Sequence, residues 1–472
     1  MQSIDRTQEL ETQRIDKLLF KYALPAVVSQ IIAAVCNIVD RIFIGHGEGA
    51  LAIAGLAITF PVMNIVHAFG ALIGVGASAR LSIVLGRKDM RWAEKILGNS
   101  LIFTIILSGA VMLFGYLFLD NILYLFGATE ETVAYARQYM LVVLPGMFFL
   151  TMAFNLTSLI RASGYPIRAM LILGGGAVLN IILDPIFIFG FNWGIAGAAW
   201  ATTISMATMT LFAILHFAQK NSFIRFKRHA WKPKGYIFRN ILMIGMSPFL
   251  MNITAAGVVA ILNRQLIIYG GDMAVGANGI VNSFMNFLIL FMLGVCQGMQ
   301  PIAGYNYGAG HPQRLRQVYL LTMKVCVLSG VVGCLLGCFC PEWIAKAFTS
   351  DEMLISISVV ALPFLSMMSP LIGFTICNSN FFQSIDKPWI AIVTSLSRQV
   401  IFLVPLCYFL PRLWKLWGRN GLDGVWLSAT FSDVLGAALA AVLLFMQRKV
   451  FTQAAVLEPR PLKEVGPTSD EE

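Results

Sequence analysis

The chain has 472 residues, of which 58% are hydrophobic and only 12% are charged, and its mean hydropathy is +0.76. Soluble domains carry about 25% charged residues, so this composition excludes a soluble globular protein and indicates a polytopic membrane protein. The formal net charge of +10 does not indicate a nucleic-acid partner, because the basic residues are spread over alternate loops rather than collected on one domain.

The chain begins with a polar segment, residues 1–17, that contains acids and therefore does not resemble a cleavable signal peptide. A membrane-spanning helix needs about 20 predominantly apolar residues. The runs that meet this requirement number twelve and are predicted to span the bilayer: 18–44, 51–79, 96–119, 134–160, 168–190, 194–217, 240–269, 274–303, 318–340, 354–382, 388–411 and 424–446.

The orientation follows from the basic loops. Segments 80–95 and 218–239 are rich in Lys and Arg, whereas 120–137 and 341–352 hold one basic residue each. Cytoplasmic loops carry the excess of basic residues, so we expect a multi-pass protein of the bacterial plasma (inner) membrane with both termini in the cytoplasm. The external loop before the last helix, with Arg412, Lys415 and Arg419, departs from this pattern.

The two halves of the chain resemble each other. LPAVVSQIIAAVCNIVDRIFIG in the first half corresponds to SPFLMNITAAGVVAILNRQLIIYG in the second, so that Asp40 aligns with Asn263. Because six helices make a half, the repeats are parallel, which implies a pseudo-twofold axis along the membrane normal and a cavity between lobes. We therefore predict an all-α membrane protein with an N-terminal lobe (1–219, helices 1–6), a basic cytoplasmic linker (220–239), a C-terminal lobe (240–449, helices 7–12) and a disordered cytoplasmic tail (450–472).

Two aspartates lie inside apolar runs, Asp40 in the first helix and Asp184 in the fifth. Carboxylates at membrane depth are rare and mark by default an ion, proton or substrate site. Asn37 precedes Asp40 by three residues and Asn180 precedes Asp184 by four, so each pair shares a helical face. We expect a shared polar cavity in the N-terminal lobe that takes up a proton near neutral pH, or holds Na⁺ with Asn180 as neutral ligand. A structural role for each acid is the alternative: Asp40 at a helix end in the interface, Asp184 in a hydrogen bond between helices.

The C-terminal lobe differs, because helices 7 and 10 hold no acid. Arg398 in helix 11 and Asp433 in helix 12 lie at matching depths near the middle of the membrane, which predicts a buried, structural ion pair between adjacent helices.

Further polar residues on N-lobe helices are candidates to line the cavity, namely Tyr139, Asn155 and Thr202. The eight cysteines lie mostly in apolar segments without the spacing of a metal site, so we expect reduced packing residues and no metal centre apart from Na⁺. The sequence holds no Walker motif, no Ser-His-Asp arrangement and no appended soluble domain, which argues against an ATPase, an enzyme or a receptor.

Several segments resemble the MATE (multidrug and toxic compound extrusion) family over nearly all of residues 15–450. They are NIVDRIFIGHGEGALAIAGLAITFP, the RASGYP turn, NIILDPIFIFGFNWGIAGAAWAT and, most specifically, GVCQGMQPIAGYNYGAGHPQR, which resembles the MepA branch of the DinF-like group. The resemblance implies exchange of cationic, amphipathic drugs for H⁺ or Na⁺ by rocking between inward-open and outward-open states.

The resemblance also implies roles for residues. Asp40 and Asp184 match the N-lobe acids implicated in coupling, with Asn180 beside them, whereas the C-lobe acids of the NorM-like branch are absent, which favours protons. We therefore expect a monomeric antiporter without cofactors, whose partners are small organic cations and the bilayer. The alternative is a lipid-linked oligosaccharide flippase of the same superfamily, which typically has fourteen helices and a basic cavity rather than an acidic one.

Overall fold

The computed structural model describes residues 8–48, 50–220 and 222–452, and within these ranges it contains helices and no strand. The N-terminal half supplies six helices long and apolar enough to span a membrane: α1 (Ile15–Glu48), α2 (Ala50–Gly86), α3 (Met90–Leu117), α4 (Val133–Ala162), α5 (Pro166–Gly190) and α6 (Gly194–Ala218). They pack into one body in which α1 lies against α5, and α4 against α2 and α6.

The C-terminal half begins with a helical stretch, Gly235–Gly308, that is broken at Gly271, where φ is 69°. Glycine adopts this left-handed conformation without the steric cost that a Cβ would impose, and the break separates α7 (235–270) from α8 (272–308). The remaining helices are α9 (Pro312–Phe339), α10 (Glu352–Ser366 and Ser369–Ser384, bent by 48° between them), α11 (Pro388–Leu416) and α12 (Gly421–Met446). The described chain thus has the twelve spanning helices and two lobes that the apolar runs predicted.

Five shorter helices lie between or beside the spanning ones: Gln8–Thr12, Leu119–Leu125, Arg228–Trp231, Pro341–Phe348 and Arg448–Phe451. The last of these lies at the start of the predicted tail and packs Phe451 against Tyr319 and Phe381, with ring centroids 5.2 and 5.4 Å apart. The rest of that tail, 453–472, lies outside the described residues.

The basic linker is docked on α3. Asn99 donates from Nδ2 to the carbonyl oxygen of Ala230 at 3.2 Å and accepts from the backbone N–H of Lys234 at 2.7 Å. The buried carboxylate of Glu94 receives Lys227 and His229 at 3.0 and 3.2 Å. The linker is also shorter than expected, because α7 begins at Gly235 rather than at 240.

The two lobes meet closely at the end of the molecule where α1 begins and α2 ends. A Cβ added at Gly245 of α7 would lie 1.7 Å from the carbonyl oxygen of Leu72, and one added at Gly308 of α8 would lie 2.0 Å from that of Ile83. Small residues let membrane helices approach backbone to backbone. We call this contact the glycine seam. The end of the molecule at which it lies is called the closed end.

Polar side chains also cross between the lobes at the closed end. Arg80 of α2 donates to Asp386, in the turn before α11, at 2.5 Å, and Arg161 of α4 donates to Gln297 of α8 at 2.6 Å. These bonds are made only while the lobes are together here, so they favour the closed arrangement.

The short helix Gln8–Thr12 and the residue after it lie across both lobes at the closed end. Leu10 is fully buried, and Arg314 at the start of α9 donates to the carbonyl oxygens of Leu10 and Gln13 at 3.2 and 2.7 Å. Glu11 pairs with Lys88 of the N-lobe at 3.2 Å, and this ammonium lowers the pKa of Glu11. The stabilisation from the Glu11–Lys88 ion pair is therefore present above the ordinary pKa of a glutamate, and it is lost as the pH falls through the lowered pKa of Glu11.

Candidate ion-coupling site

The carboxyl groups of Asp40 and Asp184 face each other in the N-lobe, one from α1 and one from α5. Asp184 is fully buried, whereas Asp40 is partly exposed. The α1 helix continues to Glu48, so Asp40 does not stand at a helix end as one alternative required. Within the described ranges, neither carboxyl forms an ion pair with a basic side chain, and Oδ2 of Asp184 is buried without a hydrogen-bond donor.

Asn180 joins the two acids to a neighbouring thiol. Its Nδ2 donates to Asp184 Oδ1 at 3.2 Å, and its Oδ1 accepts from the Cys36 thiol at 2.8 Å. Cys36 lies on α1 one turn before Asp40, with its sulfur 3.9 Å from Asp40 Oδ1. The sequence analysis predicted only a packing role for Cys36, although its spacing of four residues from Asp40 places both on one face of the helix.

Two further predicted residues complete this cluster. Thr202 of α6 accepts from Asn180 Nδ2 at 3.4 Å, and Tyr139 of α4 is hydrogen-bonded to Thr202. Four helices therefore contribute to what we call the acidic cluster, and its members are Cys36, Asp40, Tyr139, Asn180, Asp184 and Thr202.

Two predicted cavity residues make their hydrogen bonds elsewhere. Asn37 is exposed and donates to the carbonyl oxygen of Ala33 in its own helix at 2.8 Å. Asn155 is buried on the side of α4 that faces α3, where it donates to Thr104 Oγ1 at 2.9 Å. The structure thus does not bring Asn37 or Asn155 to the acidic cluster. On α1 it is Cys36 that faces the cluster, and Asn37 is turned away from it by about 100°. On α4, Asn155 lies 16 residues beyond Tyr139, about 24 Å along the helix.

A change of helical geometry follows Asp184 directly. Residues Ile186–Gly190 form a π-helical turn, closed by a bond from Phe191 N to Ile186 O at 3.0 Å. Pro185 has no N–H to continue the ordinary ladder. Such turns are frequent at functional sites, and a second one, Ser397–Leu403, interrupts α11 of the C-lobe.

The structure brings together the two charged residues predicted to pair in the C-lobe. Arg398, in the π-helical turn of α11, donates from Nη1 to Asp433 Oδ1 of α12 at 3.1 Å, and their side chains are 19% and 6% exposed. This lobe therefore carries an acid that is already compensated, in contrast to the acids of the N-lobe.

Removing one partner of a buried ion pair leaves an uncompensated charge and typically costs about 3–5 kcal/mol. We expect Arg398→Ala to lower the free energy of unfolding of the purified protein by that amount, and Arg398→Ala with Asp433→Ala to lower it less. The shift of the melting temperature measures the order of the two effects. Lys346→Ala breaks an exposed pair with Glu342 (side chains both 61% exposed) and serves as the control with little effect. Equal losses from the single and the double variant would show that the pair is not energetically coupled.

The fold and the acidic cluster together define the class of this protein, a two-lobed integral membrane protein built like a transporter. Residues 25–186 and 248–409, one segment in each lobe, match the model of the MatE family. The chain belongs to this family.

Curated relatives cover almost the whole chain. Multidrug export protein MepA of Staphylococcus aureus (strain MRSA252) is 27% identical over 443 residues, which is 94% of this chain and 96% of the relative. The protein of the same name from Staphylococcus haemolyticus (strain JCSC1435) is 25% identical over 450 residues, covering 95% and 98%. These relatives, which are bacterial, and the spanning helices make the chain a multi-pass membrane protein.

Solved structures share the fold. One is described as the outward-facing conformation of a multidrug resistance MATE family transporter of the MOP superfamily, with a TM-score of 0.88 and 24% identity, covering 96% of this chain and 99% of that one. Another, a MOP superfamily transporter from Pyrococcus furiosus, has a TM-score of 0.87 and 24% identity, covering 94% and 98%.

Proposed function

We propose that this protein is a secondary active antiporter that exports cationic, amphipathic compounds in exchange for protons. The observation that carries the proposal is the pair of facing carboxyls, Asp40 and Asp184, with one buried oxygen of Asp184 lacking a donor in the described chain. A proton shared between the acids supplies that donor, and an organic cation supplies the opposite charge. The names of the relatives, which are multidrug export proteins, support export of drug-like compounds.

The exchange follows from competition for one charge. In the state open to the cytoplasm, the ionised pair attracts the cation. In the state open to the outside, protons enter, neutralise Asp40 and Asp184, and release it. A ligand biases such an equilibrium only by its different affinities for the two states, and the higher pH of the cytoplasm supplies that difference for protons. With the N-terminus in the cytoplasm, the glycine seam would lie on the cytoplasmic side, and the arrangement of the lobes would correspond to the outward-facing state.

The orientation of Asn180 favours H⁺ over Na⁺ as the coupling ion. Na⁺ would be held by oxygen atoms of Asp40, Asp184 and Asn180. The amide, however, turns its NH₂ group toward Asp184 and its oxygen toward the Cys36 thiol, so that Na⁺ would require the amide to rotate and the thiol bond to break.

The acidic character of the site also favours the export of cations over the alternative function, the flipping of lipid-linked oligosaccharides. A flippase for lipid-linked oligosaccharides would need basic groups to hold a lipid phosphate, and within the described ranges the cluster contains two acids and no base. From the basic residues in alternate loops we further propose that both termini lie on the cytoplasmic side of the bacterial plasma membrane. The protein would act there as a monomeric transporter without enzymatic activity.

The choice of ion is testable in proteoliposomes loaded with ethidium. We expect acidification of the outside medium to release dye through the protein, because protons then enter as the cation leaves. Nigericin with K⁺, which dissipates the pH gradient, is expected to abolish release, and protein-free liposomes give the leak. Release driven by a Na⁺ gradient at equal pH, without a response to acid, would contradict proton coupling.

A further inference from the structure

Three buried cysteines from three helices meet in the core of the C-lobe. Cys296 of α8, Cys326 of α9 and Cys377 of α10 are fully buried, and their sulfur atoms all lie within 4.8 Å of one another. The sulfurs of Cys296 and Cys326 are 3.9 Å apart. We call these residues the thiol triad. It lies in the other lobe from the acidic cluster and has no part in the exchange proposed above.

The spacing of the triad suits a shared metal ion. A metal–sulfur bond of about 2.3 Å places two sulfurs bound to the same ion about 3.8–4.0 Å apart. A disulfide would instead require about 2.05 Å. The 3.9 Å between the sulfurs of Cys296 and Cys326 matches the separation of two ligands of one ion, and the sulfur of Cys377 lies within 4.8 Å of both.

Close backbone packing holds two of the three helices in place. A Cβ added at Gly373 of α10 would lie 2.4 Å from the carbonyl oxygen of Cys326, and one added at Gly330 of α9 would lie 2.5 Å from that of Ser369. This close backbone approach of α9 and α10 brings the sulfurs of Cys326 and Cys377 within 4.8 Å of each other before any ion binds. A preorganised ligand set is what a metal site needs.

The donor atoms select the kind of ion. Within the described residues, no histidine or carboxylate joins the three sulfurs. Thiolate donors select Cu(I), zinc and iron–sulfur clusters. Structural zinc sites and iron–sulfur clusters take four protein ligands, so a set of three sulfurs favours Cu(I). We propose that the thiol triad is a three-sulfur binding site for a thiophilic monovalent ion, Cu(I).

Binding involves no change of oxidation state. Each thiol that becomes a ligand exchanges its S–H bond for an S–Cu bond and releases one proton, while copper stays Cu(I). The bound ion joins α8, α9 and α10.

The test uses the full-length protein in detergent, without oxygen, titrated with Cu(I) against bicinchoninate. The half-exposed thiols Cys334, Cys338 and Cys340 are first replaced by serine, so that they do not compete. We expect this background to bind one equivalent of Cu(I), with three sulfur neighbours at about 2.3 Å in X-ray absorption at the copper edge. Adding Cys377→Ser is expected to abolish that equivalent, whereas adding Cys407→Ser, a buried thiol outside the triad, is expected to leave it.

Folding is followed by size-exclusion chromatography, and Cys296→Ala replaces Cys377→Ser if the latter aggregates. Absence of copper in the background protein would overturn the proposal. Retention of the full equivalent after Cys377→Ser or Cys296→Ala would overturn it as well. Because ethidium release is not the readout, failure here is distinct from failure of proton-coupled export.

Discussion

Cells that produce the Asp40→Asn, Asp184→Asn double variant are expected to extrude ethidium no faster than cells without the transporter. Asparagine has the shape of a protonated aspartate but cannot ionise, so the variant resembles the neutral state permanently. Truncating one partner of a buried charge pair costs about 2–5 kcal/mol, which corresponds to a roughly 30-fold to 4,000-fold loss of affinity for the cation. The coupling is lost too, because no carboxyl remains to carry the proton. Dye efflux from preloaded cells measures both effects.

The matched control is Asp272→Asn. Asp272 is an exposed carboxylate at the start of α8, and its replacement changes the net charge in the same direction without touching the acidic cluster. We expect wild-type efflux from this variant. Wild-type efflux from the double variant, at equal amounts of protein in the membrane, would refute the role assigned to the two acids.

A methyl group in the glycine seam is expected to push the lobes apart at the closed end. In Gly245→Ala the new Cβ would lie 1.7 Å from the carbonyl oxygen of Leu72, and a backbone atom cannot rotate away as a side chain can. Overpacking typically costs about 1–3 kcal/mol, which shifts a two-state equilibrium about 5-fold to 150-fold. The closed population should fall accordingly, and with it the rate of export.

Electron–electron distances between spin labels can measure this shift. Exposed positions 91 and 317 carry one label on each lobe, and we expect a longer distance in Gly245→Ala than in the parent protein. Gly257→Ala, on the same helix, adds the same methyl group with nothing within 4 Å and is expected to leave the distance unchanged. An unaltered distance in Gly245→Ala would mean that the seam does not control closure.

The sequence predicted the helices and the lobes well because the bilayer imposes a simple rule on them. An apolar run of about 20 residues has to span, and twelve such runs lead to twelve helices. The ends of the helices were harder to predict from the sequence. Helix α2 continues to Gly86, well past Arg80, because hydrogen bonding along a helix does not stop where the apolar residues stop. The bend within α10 between Ser366 and Ser369 lies between Pro363 and Pro370, which interrupt the hydrogen bonds of a helix but leave no mark in hydropathy.

At the candidate site, the sequence could identify the unusual residues but not which way the ordinary ones point. An aspartate at membrane depth is conspicuous, so Asp40 and Asp184 could be singled out. Asn37 and Cys36 are neighbours on one helix, and a rotation of about 100° separates them. The structure turns the thiol toward Asn180 and the amide of Asn37 away. Helix rotation is set by contacts between distant segments, which a single sequence does not reveal.

The short helix at the beginning of the described chain has a practical consequence for work on this protein. Arg314 fastens it to one lobe through two carbonyl oxygens, while Glu11 reaches Lys88 on the other. These contacts have to break each time the closed end opens. A bulky fusion ahead of Gln8 would disturb them. An affinity tag at the N-terminus would therefore be expected to impair transport, and the C-terminus is the better place for it.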